Sequence, residues 1–347
     1  MNPSRQKHAG KAMRGGEQIF NVFDIVSEVP DDHYYFHSPK SHGTTNRALS
    51  KHVMKEWKIL EENLPDSIYV RVYENRIDLM RAVIVGAAGT PYHDGLFFFD
   101  IMLPSDYPNS PPKVQFHSFG YHLNPNLYHN GMVCLSLLNT WHGNSSHMWN
   151  PRASTLLQPF FNEPYVGFLL GLARAFSQSR SRAYNESVFL LTWYVAIKLV
   201  CRPPKNFEAF VIQHFRTRSV SVLDSCREYA NGRVWVGYYC RNGGGGGSSS
   251  LRSSDVSVSP YFRNTMVELY PKLIQTFRYC RADLKGTPKK LELEVIINEK
   301  PKKEQVIDRG KHENKDEVRK NITIGGIFKM AVDKIKTVLG WGWLGDE

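Results

Sequence analysis

Apolar positions along the chain change period twice. Between Ala48 and Asn63, Leu49, Val53, Trp57, Ile59 and Leu60 recur at roughly helical spacing, with Lys51, Lys55, Lys58 and Glu61 between them. That pattern predicts an amphipathic helix. It ends at Asn63-Leu64-Pro65, because proline cannot continue the helix and drives the residue before it to extended geometry. Short apolar runs follow at Ile68–Tyr73, Leu79–Val85, Leu96–Leu103 and Lys113–Phe116, joined by turn-rich connectors at 74–76, 86–95 and 105–112. These read as strands. Helical spacing returns through Val188, Leu191, Tyr194, Val195, Ile197 and Val200, then over 207–215 and again over 220–229. A helix, a meander of four strands and a helical region predict an α+β domain.

The flanks read differently. Residues 1–46 mix Pro, His, Ser, Asn and Lys around one brief apolar patch from Ile19 to Val29, and are expected to be a flexible arm. Residues 242–250, Asn followed by five Gly and three Ser, predict a flexible linker and the clearest boundary in the chain. Beyond it, 251–284 holds one helical pattern and 285–320 is crowded with Lys and Glu. A short amphipathic pattern follows from Ile327 to Leu339. Residues 251–347 are therefore expected to be a charged, partly helical or disordered tail.

Composition narrows the class. An aromatic content of 12% is too rich for wholesale disorder. The formal charge of +11 permits a nucleic-acid or membrane-surface partner, yet no zinc spacing, aromatic RNA-binding signature or basic recognition helix supports a specific nucleic-acid role. The most apolar stretch, Val188–Val200, is short and interrupted by Lys198, whereas a membrane-spanning helix needs roughly 20 apolar residues. Five cysteines, at 134, 201, 226, 240 and 280, are odd in number and scattered. They suggest free thiols in a reducing, intracellular setting, cytoplasmic and/or nuclear, with no metal site.

The run most able to carry chemistry is Asn124-Pro125-Asn126-Leu127-Tyr128-His129-Asn130-Gly131-Met132-Val133-Cys134-Leu135-Ser136-Leu137-Leu138. Its turn residues predict an irregular, ordered loop. A cysteine presented by such a loop beside an asparagine can act as a nucleophile, with the amide stabilising an oxyanion during acyl transfer. Cys134 can equally be a small buried hydrophobe between Val133 and Leu135, with Asn126 capping a turn. No pattern positions His122 or His129 as a general base. On the residues alone both readings stay open.

Tyr107-Pro108-Asn109-Ser110-Pro111-Pro112-Lys113-Val114, then Asn124-Pro125-Asn126, then Gly131–Leu138 resemble the core of ubiquitin-conjugating enzymes. That family carries a Tyr-Pro…Pro-Pro-Lys-Val segment, a His-Pro-Asn tripeptide and an active-site cysteine eight positions after the tripeptide's asparagine. Asn126 and Cys134 have that separation. Pro91-Tyr92…Gly95-Leu96-Phe97-Phe98-Phe99-Asp100-Ile101 resembles a further family segment. Asn124 departs from the usual His. The insertion Asn139–Asn144, Asn162-Glu163-Pro164, Tyr184-Asn185-Glu186 and Arg202–Glu208 are similar to the large plant conjugating enzymes of the phosphate-homeostasis type and to animal hybrid conjugating/ligase enzymes.

The resemblance implies a core over 47–185 with an N-terminal helix, a four-stranded antiparallel meander and C-terminal helices. A helical extension over 186–241 would pack on it. It implies that Cys134 takes ubiquitin as a thioester from the ubiquitin-activating enzyme and passes it to a lysine of a protein substrate. Asn126 would brace the loop or stabilise the oxyanion. Glu163 falls where other members place an acidic residue that orients the lysine. A free cysteine ionises near about 8.5, which leaves some thiolate without a dedicated base. No cofactor is bound in this scheme: ubiquitin is the co-substrate, and ATP is used by the activating enzyme upstream. A ubiquitin ligase is a further candidate partner, and the basic surface suits acidic partners. Compared with the family, a helix is missing near 158–159, a shortfall of roughly 10 to 15 residues or three to four turns. The alternative is therefore a catalytically impaired ubiquitin-conjugating-like scaffold that keeps Cys134.

Overall fold

A computed structural model describes residues 20–39, 47–141, 148–153, 157, 178–239 and 256–293. The first helix, α1 (Arg47–Asn63), is followed by β2 (Ile68–Tyr73), β3 (Leu79–Val85), β4 (Leu96–Met102) and β5 (Lys113–Phe116). These four strands form the expected antiparallel meander. Val53, Trp57 and Leu60 of α1 pack onto Val70, Val72, Ala82, Ile84, Phe97, Phe99 and Ile101, which share one face of the sheet by the two-residue period of strands. Leu123, Leu127, Val133 and Leu135 complete the same core and anchor the loop that follows the sheet. The α+β class holds.

The arm is a correction. Phe23–Val26 forms a fifth strand, β1, which pairs in parallel with β2 through Phe23↔Val70 to Val26↔Tyr73. Residues 29–36 then cross the second face of the sheet, where Val29 packs with Tyr73, Leu79 and Met102. That cover explains why every residue of β4 is buried, and why Leu96-Phe97-Phe98-Phe99 is continuously apolar rather than alternating.

A buried ionic cluster holds the cover in place. Arg81 on β3 lies opposite Asp100 on β4 and donates to it from Nε at 2.6 Å and Nη2 at 3.0 Å. Asp100 also accepts from His117 Nε2 at 2.9 Å and from the Tyr34 backbone N–H at 2.8 Å. Arg81 reaches out to Asp32 at 2.9 Å, and Asp32 accepts the Lys205 backbone N–H at 2.9 Å. His33 donates from Nε2 to the Met80 carbonyl at 3.0 Å and accepts at Nδ1 from the Tyr35 N–H. These bonds suit a neutral ring, and burial holds its pKa below the ordinary value. His117 and Arg81 hold the Asp100 carboxyl far below the usual carboxylate range, against its burial. Farther along the arm, Arg76 pairs with Asp78 and reaches the Phe36 and Ser38 carbonyls.

Three helices complete the fold: α2 (Gln178–Cys201), α3 (Glu208–Ala230) and α4 (Pro260–Tyr279). The stretches 207–215 and 220–229, distinct in the apolar pattern, belong to the single helix α3. Its polar centre is tolerated because Thr217 and Ser219 donate to helix carbonyls and Arg218 pairs with Asp94 at 3.0 Å. α4 is the helix expected within 251–284, but it is not part of a loose tail: Phe262, Met266, Leu269, Tyr270, Leu273 and Phe277 are buried, and the helix packs on α2 and α3. Its N-cap, Ser259, accepts from the Phe262 N–H and donates to Glu186 on α2. The described residues up to Leu291 thus belong to the same compact unit as the sheet. The linker at 242–250, the chain from 294 onward, Glu163 and the shortened segment near 158–159 lie outside the described residues. Among the described residues no helix is long and apolar enough to cross a membrane.

Candidate functional site

The loop from Asn124 to Thr140 is built almost entirely from neutral hydrogen bonds. Asn124, fully buried, accepts at Oδ1 from the backbone N–H groups of Asn126 at 2.8 Å and Leu127 at 2.9 Å. This side-chain turn sets the direction of the chain through Pro125. Its Nδ2 donates to the Tyr92 hydroxyl at 3.2 Å, which in turn bonds the Tyr184 hydroxyl of α2 at 3.0 Å. The residue that departs from the family's His is therefore a loop brace. Gly131 makes the next turn at φ 84°, where an added Cβ would lie 1.9 Å from Gln115 Nε2 and 2.6 Å from the Phe116 carbonyl oxygen. Only glycine lets the chain double back against β5 here.

That return brings Asn126 and Cys134 together. The Cys134 N–H donates to the Asn126 carbonyl at 2.9 Å, and Asn126 Nδ2 donates to the Cys134 carbonyl at 2.7 Å. Among the described residues, the second N–H of that amide has no partner. The loop continues through a 3-10 turn over Ser136–Leu138 to Asn139, left-handed at φ 55°, and then Thr140. Cys134 Sγ donates to the Thr140 carbonyl at 3.4 Å, and the cysteine is 4% exposed.

Burial pushes the Cys134 thiol up to about 11. This corrects the expectation of a standing thiolate fraction: at pH 7, a pKa of that size leaves on the order of one thiolate in ten thousand. Among the described residues no imidazole bonds the sulfur. His122 stacks on Tyr128 at 4.8 Å between ring centres and sits 6.5 Å from the His129 ring. Trp149 donates to the Pro108 carbonyl at 2.7 Å and fixes the segment after the cis Tyr107-Pro108 bond. His142 lies outside the described residues. Of the other thiols, Cys226 and Cys280 are buried and Cys201 is exposed. No cluster of metal-binding side chains occurs among the described residues.

The structure thus brings two of the three expected site residues, Asn126 and Cys134, into direct contact, while the third, Glu163, is not described. Sequence reasoning missed Thr140. Its signal was the neighbouring asparagine, a residue tolerant of left-handed backbone, which turns Thr140 back toward the cysteine. Chemically, the arrangement offers one thiol and two side-chain amides on a neutral, hydrogen-bonded loop. Such a site suits acyl transfer, in which a sulfur nucleophile forms a covalent intermediate and amide donors face developing negative charge.

A family model described as "Ubiquitin-conjugating enzyme" matches residues 52–161. An Arabidopsis thaliana protein named "Probable ubiquitin-conjugating enzyme E2 24" is 44% identical over 279 residues, covering 76% of this chain and 29% of its own length. A second, "Putative ubiquitin-conjugating enzyme E2 38", is 45% identical over 226 residues, covering 61% of this chain and 68% of its own. The human "Dual E2 ubiquitin-conjugating enzyme/E3 ubiquitin-protein ligase BIRC6" is 33% identical over 238 residues, covering 60% of this chain and 5% of its own. The chain spans between 25% and 39% of the length of three of its large Arabidopsis relatives.

Proposed function

Because the chain belongs to the ubiquitin-conjugating enzyme family, we propose that it carries ubiquitin as a thioester on Cys134 and passes it to a substrate lysine. The observation that carries this reading is the pairing of Cys134 with Asn126 by two hydrogen bonds, at 2.9 and 2.7 Å, on the loop that bears the family's motif. In the first transfer, Cys134 thiolate attacks the thioester carbonyl of the ubiquitin C-terminal glycine held on the activating enzyme. A new C–S bond forms, the old one breaks, and the activating enzyme's thiolate leaves. In the second, a neutral lysine amine attacks the Cys134 thioester, a C–N bond forms, and Cys134 leaves as thiolate while the amine loses a proton. Each tetrahedral intermediate carries an oxyanion that an amide N–H can stabilise.

In this scheme Asn126 has two parts. One N–H holds the Cys134 carbonyl, and the other is available to the oxyanion. Glu163 is proposed to orient the incoming lysine. Protein partners are the activating enzyme, ubiquitin, substrate proteins and a ubiquitin ligase. ATP enters only through the activating enzyme, and the reading assigns the protein to the cytoplasm and/or nucleus. The test is to incubate the full chain with activating enzyme, ATP and ubiquitin. A ubiquitin adduct that reductant removes, and that Cys134→Ala does not form, is expected. No adduct on well-folded protein would overturn the proposal and favour the scaffold alternative.

A further inference from the structure

Thr140 arranges its polar atoms around Cys134 more closely than its exposed position requires. Its hydroxyl lies between the two residues that flank the cysteine. It accepts the Leu135 N–H at 2.8 Å and reaches the Val133 carbonyl at 2.8 Å and the Leu135 carbonyl at 3.1 Å. One proton cannot serve both carbonyls fully, and the shorter contact favours Val133. The Thr140 backbone N–H donates to the Leu135 carbonyl at 3.2 Å. Its own carbonyl receives the thiol of Cys134 at 3.4 Å. Asn139, at φ 55°, supplies the reversal that makes all of these contacts reachable within six residues of the cysteine.

A threonine with little side-chain burial contributes little to packing. What this one does is tie both ends of a short turn to each other. The turn is drawn back until the Thr140 carbonyl meets the sulfur, and the thiol has that carbonyl as its acceptor. We propose that Thr140 is a positioning residue for Cys134: its hydroxyl clasps the 135–140 turn over the sulfur, and the cysteine becomes reactive when that clasp opens.

The assignment rests on Cys134 as the acyl acceptor, and it explains how one site can be both buried and nucleophilic. Closed, the turn keeps water from the sulfur, in keeping with a thiol held at about 11 by burial. Open, the sulfur regains water and the thiolate is favoured. Docking of the activating enzyme against this loop would supply the opening. Serine keeps the hydroxyl and preserves the clasp, whereas alanine removes the hydroxyl and releases it.

The test uses the full chain and needs neither ubiquitin nor activating enzyme. The rate of iodoacetamide alkylation at Cys134, followed by mass spectrometry of its peptide, is measured from about pH 6 to pH 11, since alkylation tracks the thiolate. Thr140→Ala is expected to lower the midpoint by about one pH unit and raise the rate near neutral pH roughly tenfold, while Thr140→Ser behaves as the native protein. An unshifted midpoint in Thr140→Ala, or Thr140→Ser behaving like Thr140→Ala, overturns the proposal. A native midpoint at the ordinary cysteine value overturns it too, and that measurement stands even if Thr140→Ala fails to fold. A shifted midpoint with no ubiquitin adduct supports the clasp and sinks the conjugating reading. An adduct with an unshifted midpoint does the reverse.

Discussion

The two faces of the sheet are held by opposite kinds of polar chemistry. On the face that carries Cys134, the bonds that shape the reactive loop itself are neutral and close in sequence: Asn124 to Asn126, Asn126 to Cys134, Leu135 to Thr140. On the other face, Arg81, Asp100, Asp32 and His117 join segments far apart in sequence through charges buried between strands and arm. A neutral hydrogen bond contributes about 1 kcal/mol net, whereas breaking a buried ion pair costs roughly 3 to 5 kcal/mol. Long-range cohesion by buried ion pairs therefore belongs to the arm face, whereas the reactive loop is tied to the rest of its face by the neutral Asn124–Tyr92–Tyr184 chain. A loop built this way can rearrange around its cysteine without disturbing the charges that fix the arm.

The sharpest attempt to break that division is Arg81→Leu. It leaves Asp100 buried with His117 and the Tyr34 N–H but without its guanidinium. A loss of roughly 3 to 5 kcal/mol is expected in urea denaturation, and Arg81→Leu with Asp100→Leu should recover much of it. Cys134 alkylation in the folded fraction should stay at the native rate. A changed rate would mean that the faces are coupled. The second substitution is Asn126→Ala on the reactive face. It removes a buried bond to the Cys134 carbonyl, with an expected cost of about 1 to 3 kcal/mol in the same denaturation series. Lysine discharge should fall on the order of a hundredfold, because the oxyanion loses its amide donor. A rate loss no larger than the fraction unfolded would reduce Asn126 to a brace.

Acid should act on the charged side first. His33 and His214 are buried and held below the ordinary histidine value, His33 lowered by burial and His214 to about 3. A base with a depressed folded pKa takes up its proton more readily when unfolded. Its contribution is present in full above about 6.5 and declines as the pH falls through that value toward the folded pKa. His214 should lower stability by about 1.4 kcal/mol per pH unit between that point and its folded value, and His33 acts in the same direction. Asp100, depressed in turn, withdraws its own contribution only below the ordinary carboxylate range. Melting temperatures between pH 7 and 5 should decline, and His214→Gln should flatten the slope. Glutamine can keep the bond that His214 Nε2 makes to the Asp94 carbonyl at 2.8 Å without titrating. An unchanged slope would remove His214 from this account.

Strand boundaries were legible because local turns punctuate them: β2, β3 and β5 fall where the apolar runs begin and end. Cys134 and Asn126 were legible through spacing and resemblance. The arm was not, since Phe23–Val26 is four residues long and pairs with β2 across the whole of α1. A clue existed in Arg81 and Asp100, opposite charges inside two apolar strands, each of which needs a buried partner. Pro30-Asp31-Asp32-His33-Tyr34-Tyr35 could supply some of those partners, but only once the register β3↔β4 was known. The packing of α4 was hidden differently. Ser259-Pro260 and the spacing of Phe262, Met266, Leu269 and Phe277 write a helix. A glycine run signals flexibility in the link, and says nothing about whether the chain beyond it packs back.

The smallest effect separates a carboxylate from an aromatic ring as partners of a cation that also donates to the Asn21 and Val70 carbonyls. Arg71 on β2 is buried, its guanidinium 4.0 Å from the Phe20 ring centre and 5.2 Å from that of Phe207. It also faces the half-exposed carboxylate of Asp24 at 3.9 Å. If the charge on this face always acts through carboxylates, Asp24→Asn should be the more damaging change. The physical expectation is the reverse. A long, partly hydrated ion pair contributes about 0 to 0.5 kcal/mol, whereas a desolvated cation over an aromatic ring contributes about 0.5 to 2 kcal/mol. Phe20 also fills space beside Tyr69 and Phe210, at 5.9 and 4.8 Å between ring centres. Phe20→Leu should therefore lower stability by about 1 to 2 kcal/mol, and Asp24→Asn should be nearly silent at high salt and at low. Should Asp24→Asn prove the larger, Arg71 would join the Asp100 cluster as a second carboxylate-held cation. If Phe20→Leu is larger, ring contact and packing, together with the Asn21 and Val70 carbonyls that accept from Arg71 Nη1 at 3.0 and 2.9 Å, hold this cation without a close carboxylate, unlike Arg81.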